Sequence, residues 1–507
     1  MNKGKVYLVG AGPGDEGLIT VKAVECIGQA DVLIYDYLVN PVFLEYCSNH
    51  CSKIYVGKKA GAHTLSQDEI NTLLVEQASK GLKVVRLKGG DPFIFGRGGE
   101  EALELVKNNI SFEVVPGVTA GVAAAAYAGI SLTQRGYTST LAFITGHENT
   151  EKETSDIDWK GLAKSFGTLV FYMGVKNLPQ ITSKLIEHGK PENTPVALIR
   201  WGTYNHQQTI TGTLKTICDE VVKNQFTPPC IIVIGEVVSL REQLRWFDNK
   251  PLFGKRIVVT RSRTQASSLS KKLRELGASV VEMPTIDIEP IVENLQLDQA
   301  ITQINQYAWI IFTSVNAVEI FFKRLFDLSF DNRILHGVSI AVIGQETYNR
   351  LLQFGIKADL MPDTFTSDGI IDSFKSIHKK IIGKKLLLPG SDLAREIIPI
   401  ELKKLGADVI HISTYHTTKP AYSNDFLEKL FQDEIDMFTF SSSSTVINLV
   451  NILKENGMEE KIKLINGASI GPITTQTAKE NNIKIVLEPT LQTIPALVDS
   501  IENYFTK

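Results

Sequence analysis

Between Val84 and Glu101 the chain reads Val-Val-Arg-Leu-Lys-Gly-Gly-Asp-Pro-Phe-Ile-Phe-Gly-Arg-Gly-Gly-Glu-Glu. It begins as a strand and ends as a helix. Gly89 and Gly90 let the main chain approach a ligand closely, because no β-carbon intervenes. Asp91 can accept hydrogen bonds from such a ligand. Glu100 suits the positive end of a helix dipole, and Arg97 stands at the mouth of that helix. These residue types at this spacing read as a binding loop.

A second glycine loop, Gly10-Ala11-Gly12-Pro13-Gly14-Asp15, follows the first strand, and Asp36 closes the next one. A dinucleotide site is the tempting reading. Against it, the third small residue of such a fingerprint falls on Asp15, whose charge would face a pyrophosphate, and Pro13 removes an amide N–H from the cradle. Cys47, His50 and Cys51 could form half a zinc site. No second ligand pair follows at finger spacing, so no metal is expected.

The elements that must position these residues follow from hydrophobic pattern. Short β-branched or aromatic runs at Val6 to Val9, Val32 to Tyr35, Val84 to Leu87 and Phe112 to Val115 alternate with helical stretches, which predicts a mostly parallel sheet covered by helices. Ser66 with Glu69 is a candidate capping box ahead of Ile70, Leu73, Leu74 and Ala78. Further strands are expected at Leu141 to Thr145, Leu169 to Met173, Val196 to Trp201 and Ile231 to Ile234, with polar linkers at His147 to Asp158 and Pro191 to Pro195. The periodicity breaks at Trp246 to Gly254, where the main boundary is placed.

Beyond it the sequence repeats. Leu276-Gly277-Ala278 matches Leu405-Gly406-Ala407 at an offset of 406 − 277 = 129; Phe312-Thr313-Ser314 matches Phe440-Ser441-Ser442 at 128; Ile343-Gly344 with Thr347 matches Ile470-Gly471 with Thr474 at 127. Three anchors in order indicate two copies of one α/β unit. Each copy has an overlong strand, Val280 to Pro290 and Val409 to Pro420, which reads as a connector between lobes. Two antiparallel connectors would make a hinge beside a cleft.

Composition sets outer limits. The chain has 507 residues, 43% hydrophobic and 21% charged, as in ordinary globular protein. On a rough scale of ~150 residues per unit it holds about three or four compact units. A net charge of −3 argues against a nucleic-acid binder that relies on overall basicity. The longest apolar run, Ala120 to Leu132, falls short of the ~18 residues that span a membrane. Met1 to Lys5 runs into a strand without signal-peptide architecture, and the odd number of cysteines, five, suits reduced thiols. A cytoplasmic protein is expected.

The first half resembles the uroporphyrinogen-III C-methyltransferases of the tetrapyrrole methylase family. The resemblance is carried by Val6 to Asp15, Arg86 to Glu101, Val115-Pro116-Gly117-Val118-Thr119-Ala120 and Phe171-Tyr172-Met173-Gly174. It implies a two-lobed α/β fold over 1–246, with lobes of about 1–117 and 118–246, in a homodimer formed through this half. It also implies S-adenosylmethionine as methyl donor, held by Pro13, Gly89, Gly90, Asp91, Ile94, Thr119, Ala120, Met173 and Gly202. Arg97, Glu100 and Arg135 would lie on the substrate side, where arginine forks suit the acetate and propionate rim of uroporphyrinogen. Asp36 would be the proton acceptor and Lys58 the donor. The chain departs from the family at Gln134, where a histidine is usual, so a proton-shuttle role there is not expected.

After a linker at 247–254, residues 255–507 resemble uroporphyrinogen-III synthase. Val258-Val259-Thr260-Arg261, Phe312 to Val318, Ile343 to Thr347 and Ile470 to Thr474 carry the likeness. It implies paired flavodoxin-like α/β lobes joined by a two-stranded connector, lobe A at about 255–287 plus 419–507 and lobe B at about 288–418, and ring closure of hydroxymethylbilane without cofactor. Tyr415 on the connector could hydrogen-bond the leaving hydroxyl or fill space between lobes; Ser314, Thr347, Ser442 and Thr474 are candidate carboxylate contacts. Together the halves imply a bifunctional enzyme making precorrin-2. The rival reading leaves the C-terminal half a catalytically dead binding module.

Overall fold

The β-branched runs of the first lobe pair in parallel, because every return passes through a helical segment. The computed structural model describes residues 3–57, 65–146, 157–261, 263–392 and 397–506. Strands β1 (Lys5–Gly10), β2 (Val32–Tyr35), β3 (Ser52–Tyr55), β4 (Lys83–Lys88) and β5 (Ser111–Val115) form one sheet in the order β3-β2-β4-β1-β5. All of its pairs are parallel. Alternation along β4 sends Val84 to one apolar layer with Val6, Leu8 and Ile34, and sends Val85 and Leu87 to the other with Val9 and Leu33. Each such side chain is fully buried and contributes about 1.5–3 kcal/mol.

Three helices of this half matter for the site: α1 (Gln67–Ser79), α2 (Gly98–Lys107) and α3 (Ala120–Tyr127). The expected capping box is present at α1, with Ser66 accepting from the Glu69 amide and Glu69 accepting from that of Ser66. The second sheet contains β6 (Leu141–Thr145), β7 (Thr168–Tyr172), β8 (Pro195–Arg200), β9 (Gln208–Thr213) and β10 (Cys230–Ile234), ordered β6-β7-β10-β8-β9. Only β6 with β7 is parallel; the other pairs are antiparallel. The linker at His147 to Asp158 falls almost wholly outside the described residues. At the expected break, Trp246 and Phe247 pack on Tyr127, with ring centroids 5.0 and 4.6 Å away. Arg241 is tied to Asp248.

The backbone separates into two units, Met1–Lys255 with Leu273–Ser279 and Phe505–Lys507, and Arg256–Lys272 with Val280–Tyr504. The second half contains β11 (Arg256–Val259), β12 (Ser279–Glu282), β13 (Asp287–Pro290), β14 (Tyr307–Phe312), β15 (Ser339–Val342), β16 (Lys385–Ser391), β17 (Asp408–Thr418), β18 (Met437–Phe440), β19 (Asn466–Ser469) and β20 (Lys484–Leu487). These make two sheets, β12-β11-β18-β19-β20 and β13-β17-β16-β14-β15. Corresponding helices follow their strands: α4 (Val315–Asp327) and α5 (Gln345–Gln353) in one lobe, α6 (Ser443–Glu455) and α7 (Pro472–Glu480) in the other.

The connectors differ from each other. β17 is one continuous strand of 11 residues, whereas the run expected as a single strand at Val280 to Pro290 is split into β12 and β13. Pro284 has no amide hydrogen for a ladder. Thr285 is pulled aside, its amide donating to the Thr260 carbonyl at 3.0 Å. β13 then pairs antiparallel with the end of β17, Pro290 opposite Tyr415.

Candidate active sites

In the first half, loops at the carboxyl ends of adjacent strands close on one another through the backbone. Gly12 and Gly90 exchange hydrogen bonds in both directions, at 3.1 and 2.7 Å. Asp91 joins a third loop: one carboxylate oxygen accepts from the Phe93 amide at 2.8 Å and the other from the Gly117 amide at 3.0 Å. A β-carbon at Gly117 would lie 2.4 Å from the Gly90 carbonyl oxygen, and one at Gly10 would lie 2.6 Å from it. Such approaches leave room only for glycine. A β-carbon at Gly90 would instead sit 3.6 Å from the Ala120 nitrogen, in the space between this loop and the start of α3.

The second lobe meets these loops through aromatic groups. The Tyr172 hydroxyl lies 2.7 Å from the Thr119 hydroxyl and accepts from the Gly121 amide at 2.8 Å; burial raises its pKa. Phe95 packs on the Tyr172 ring, and Tyr37, beside Asp36, packs edge-on to Trp201. Gly202 lets β8 run against α3, since a β-carbon there would lie 2.5 Å from that of Ala124. Of the nine non-glycine residues with positive φ among those described, Phe95, Arg97, Met173, Trp201 and Thr203 all lie here. Strained backbone of this kind gathers where a site needs it.

These contacts bring the Pro13 loop, Gly89, Gly90, Asp91, Thr119, Ala120, Met173 and Gly202 into one region. Ile94 and Met173 are 37% and 55% exposed, so neither is a core residue. Arg97 and Glu100 form a two-point ion pair at 2.8 and 2.6 Å, which raises the arginine pKa and lowers that of the glutamate. Arg135 is exposed on a turn closed by backbone bonds between Gln134 and Thr138. Lys58 lies outside the described residues. Asp36 accepts from the Leu38 amide at 3.2 Å and from Arg86 at 3.2 Å.

Arg86 is one of three buried charges that the sequence reading passed over. It donates to Glu101 at 3.1 Å, and Lys88 donates to the same oxygen at 2.8 Å. Burial lowers the Lys88 pKa, with the neighbouring Arg86 charge adding to the effect. The available signal was a pair of cations inside an otherwise apolar strand. Cys47 and Cys51 pack beside the apolar layer around Phe43.

In the second half, Ser314 and Ser442 are equivalent N-caps, accepting from the amides of Ala317 and Thr445. The Tyr415 hydroxyl lies 3.1 Å from that of Ser314. The Tyr415 ring is buried in the apolar cluster around Phe312 and Phe321, and burial raises its pKa. Thr347 and Thr474 are each buried in the first turn of their helices, so neither hydroxyl lies open at the surface. Ser442 bonds Ser444 at 2.8 Å, and Ser443 accepts from Thr477 at 2.8 Å, linking α6 to α7.

The profile of the tetrapyrrole (corrin/porphyrin) methylases matches residues 5–218, and that of uroporphyrinogen-III synthase HemD matches residues 267–499. The porphyrin biosynthesis protein HemD of Ruminiclostridium josui is 37% identical over 502 residues, which cover 99% of this chain and 98% of that protein. The uroporphyrinogen-III C-methyltransferase of Priestia megaterium is 56% identical over 236 residues, 46% of this chain and 99% of its own length. A solved uroporphyrin-III C-methyltransferase of Thermus thermophilus, complexed with S-adenyl homocysteine, is 36% identical with a TM-score of 0.41, covering 47% of this chain and 100% of that one. The chain belongs to the family of porphyrin biosynthesis proteins in which a tetrapyrrole methylase of the uroporphyrinogen-III C-methyltransferase type is fused to a uroporphyrinogen-III synthase.

Proposed function

We propose that the C-terminal half closes hydroxymethylbilane to uroporphyrinogen III with inversion of ring D, and that the N-terminal half methylates this product at C2 and C7 to give precorrin-2. The observation that carries the reading is a near full-length likeness to one porphyrin biosynthesis protein, with two enzyme families following one another along the chain.

S-adenosylmethionine, when bound, supplies a methyl group on a positively charged sulfur. The residues present fit it. Gly89 and Gly90 offer bare backbone, Ile94 and Met173 offer exposed apolar surface, and Pro13, Asp91, Thr119, Ala120 and Gly202 border the same space. Arg97 spends its Nε and one terminal nitrogen on Glu100 and keeps further N–H groups for substrate carboxylates. Arg135 adds a second cation. Asp36 accepts the proton that leaves the macrocycle, and Lys58 is the proton donor. Most of the rate comes from holding the carbon in line for transfer.

In the synthase half the bilane loses water, and the resulting azafulvene attacks an already substituted pyrrole carbon before rearranging. Holding the folded chain is the main task. Ser314 and Ser442 each accept in a helix cap and each share a hydroxyl contact, with Tyr415 and Ser444; from these hydroxyl pairs an O–H is turned to substrate carboxylates, and the first-turn N–H groups near Thr347 and Thr474 add to them. The Tyr415 hydroxyl hydrogen-bonds the leaving hydroxyl. The protein works in the cytoplasm as a homodimer formed through its methyltransferase half, without nucleic acid; sedimentation of the chain as a monomer would remove the dimer.

The deciding assay supplies hydroxymethylbilane and S-adenosylmethionine to the full chain. The expected products are the type III isomer and then its dimethylated form. Type I isomer alone would reduce the second half to a binding module; type III without added methyl groups would remove the methyltransferase assignment.

A further inference from the structure

Arg86 and Lys88 lie two residues apart on β4 and point to the face covered by α1 and α2. They are 3% and 5% exposed, and Glu101 between them is fully buried. One carboxylate oxygen of Glu101 takes the hydrogen bonds from both cations and a third, at 3.3 Å, from Gln67. Its other oxygen has no hydrogen-bond partner among the described residues. Two buried cations on one buried anion leave an excess positive charge in a poorly solvated place. Among the described residues the further counter-charge on Arg86 is Asp36 at the end of β2, whose side chain is 27% exposed.

The guanidinium is held at nearly every edge. Its Nε donates to Glu101, one terminal nitrogen to the Leu87 and Ile34 carbonyls, and the other to Asp36. Only the last of these partners opens toward the site. The opposite oxygen of Asp36 is fixed by the Leu38 amide. One side of this carboxylate is therefore set by a rigid buried group, and the other by its own turn.

We infer that Arg86 is a positioning residue for methyl transfer: anchored by Glu101, it fixes the carboxylate of Asp36 where the departing proton must be taken. The inference rests on the proposed role of Asp36. Lysine at position 86 would keep the charge and lose the planar fork that reaches Glu101 and Asp36 together.

The test uses the full chain with R86Q, R86K, E101Q, D36N and the double variant R86Q/D36N. Four readouts are taken: kcat and KM for methylation of uroporphyrinogen III, binding of S-adenosylhomocysteine by calorimetry, thermal unfolding, and type III synthesis by the other half as an internal control. R86Q is expected to lower kcat about 10- to 100-fold, the scale of a misplaced reacting group, with KM and S-adenosylhomocysteine binding within about twofold. R86K should restore part of the loss. In a D36N background, R86Q should lower kcat by less than about twofold more, because its only route of action is already gone. E101Q, which keeps the shape of the anchor, should give a smaller fall that D36N likewise abolishes. If R86Q does not fold, R86K takes its place in the same cycle.

Full additivity of R86Q and D36N overturns the inference, as does a folded R86Q protein with unchanged kcat or with donor binding lost in proportion. D36N as active as the parent chain removes the proposed role of Asp36 itself. A D36N chain that is slowed yet still measurable, with R86Q additive upon it, removes only the positioning role.

Discussion

The two halves hold their ligand-facing groups by different means. In the first, loops from separate strands touch through bare backbone, and the charged side chains of Arg86, Lys88 and Glu101 are buried beneath them, with Lys190 and Arg241 buried elsewhere in that half. In the second, among the described residues, no buried side chain is charged. Its candidate groups are hydroxyls and amides at the starts of helices, repeated in two lobes. The contrast follows the chemistry. Methyl transfer with loss of a proton needs one carbon and one base held in fixed relation, and buried charges fix such relations. Ring closure needs a long flexible substrate folded in one way, and dispersed neutral donors suit that.

The sharpest way to break this comparison is Gly117→Val. The β-carbon would meet the Gly90 carbonyl, which cannot swing aside. Binding of S-adenosylhomocysteine should fall beyond detection by calorimetry and the first half should lose about 3 kcal/mol or more, while type III synthesis continues. Normal donor binding would mean the loops are not closed as described. Glu101→Ala comes next: it strands Arg86 and Lys88 in the interior and should cost about 3–5 kcal/mol in urea unfolding of the first half. A change below about 1 kcal/mol would show that the buried charges are not coupled to the fold.

In the second half the effects should be smaller. Tyr415→Phe removes a hydroxyl bonded to Ser314; if that group acts on the leaving hydroxyl, synthase kcat falls by about tenfold or more with a stability loss near ~1 kcal/mol. A kcat within about twofold would assign Tyr415 to packing alone. Ser314→Ala and Ser442→Ala each remove one cap and should each lower stability by about 1 kcal/mol in thermal unfolding. Both should also weaken ring closure, Ser314→Ala the more strongly, since Ser314 touches Tyr415 as well. Equal effects on activity would make the two lobes functionally equivalent.

Much of the scaffold was legible because local chemistry decides it. Ser66 with Glu69 marks a helix start wherever the chain goes, and the repeated Ser314 and Ser442 proved to be the same cap in two copies. Elements whose form depends on distant partners were not legible. β9 is polar and contains Gly212, and only its pairing with β8 makes it a strand. The first connector is broken by Pro284, yet it was the Thr285 to Thr260 bond that turned it. The site behaved likewise. Glycines and Asp91 could be seen, but Asp91 spends one bond per oxygen on holding loops together. Nothing in the local sequence separates the buried Glu101 from its exposed neighbour Glu100, since both stand in a helical first turn. Its burial depends on Arg86 and Lys88 arriving from another element.

The reciprocal bonds of Gly12 with Gly90, and the tie from Asp91 to Gly117, bear on how this site could be engineered. No one of the three segments carries the pocket's shape by itself. The Gly89 to Glu100 stretch grafted alone onto another parallel sheet would keep its sequence and lose its conformation. The smallest portable piece is three neighbouring strand ends moved together.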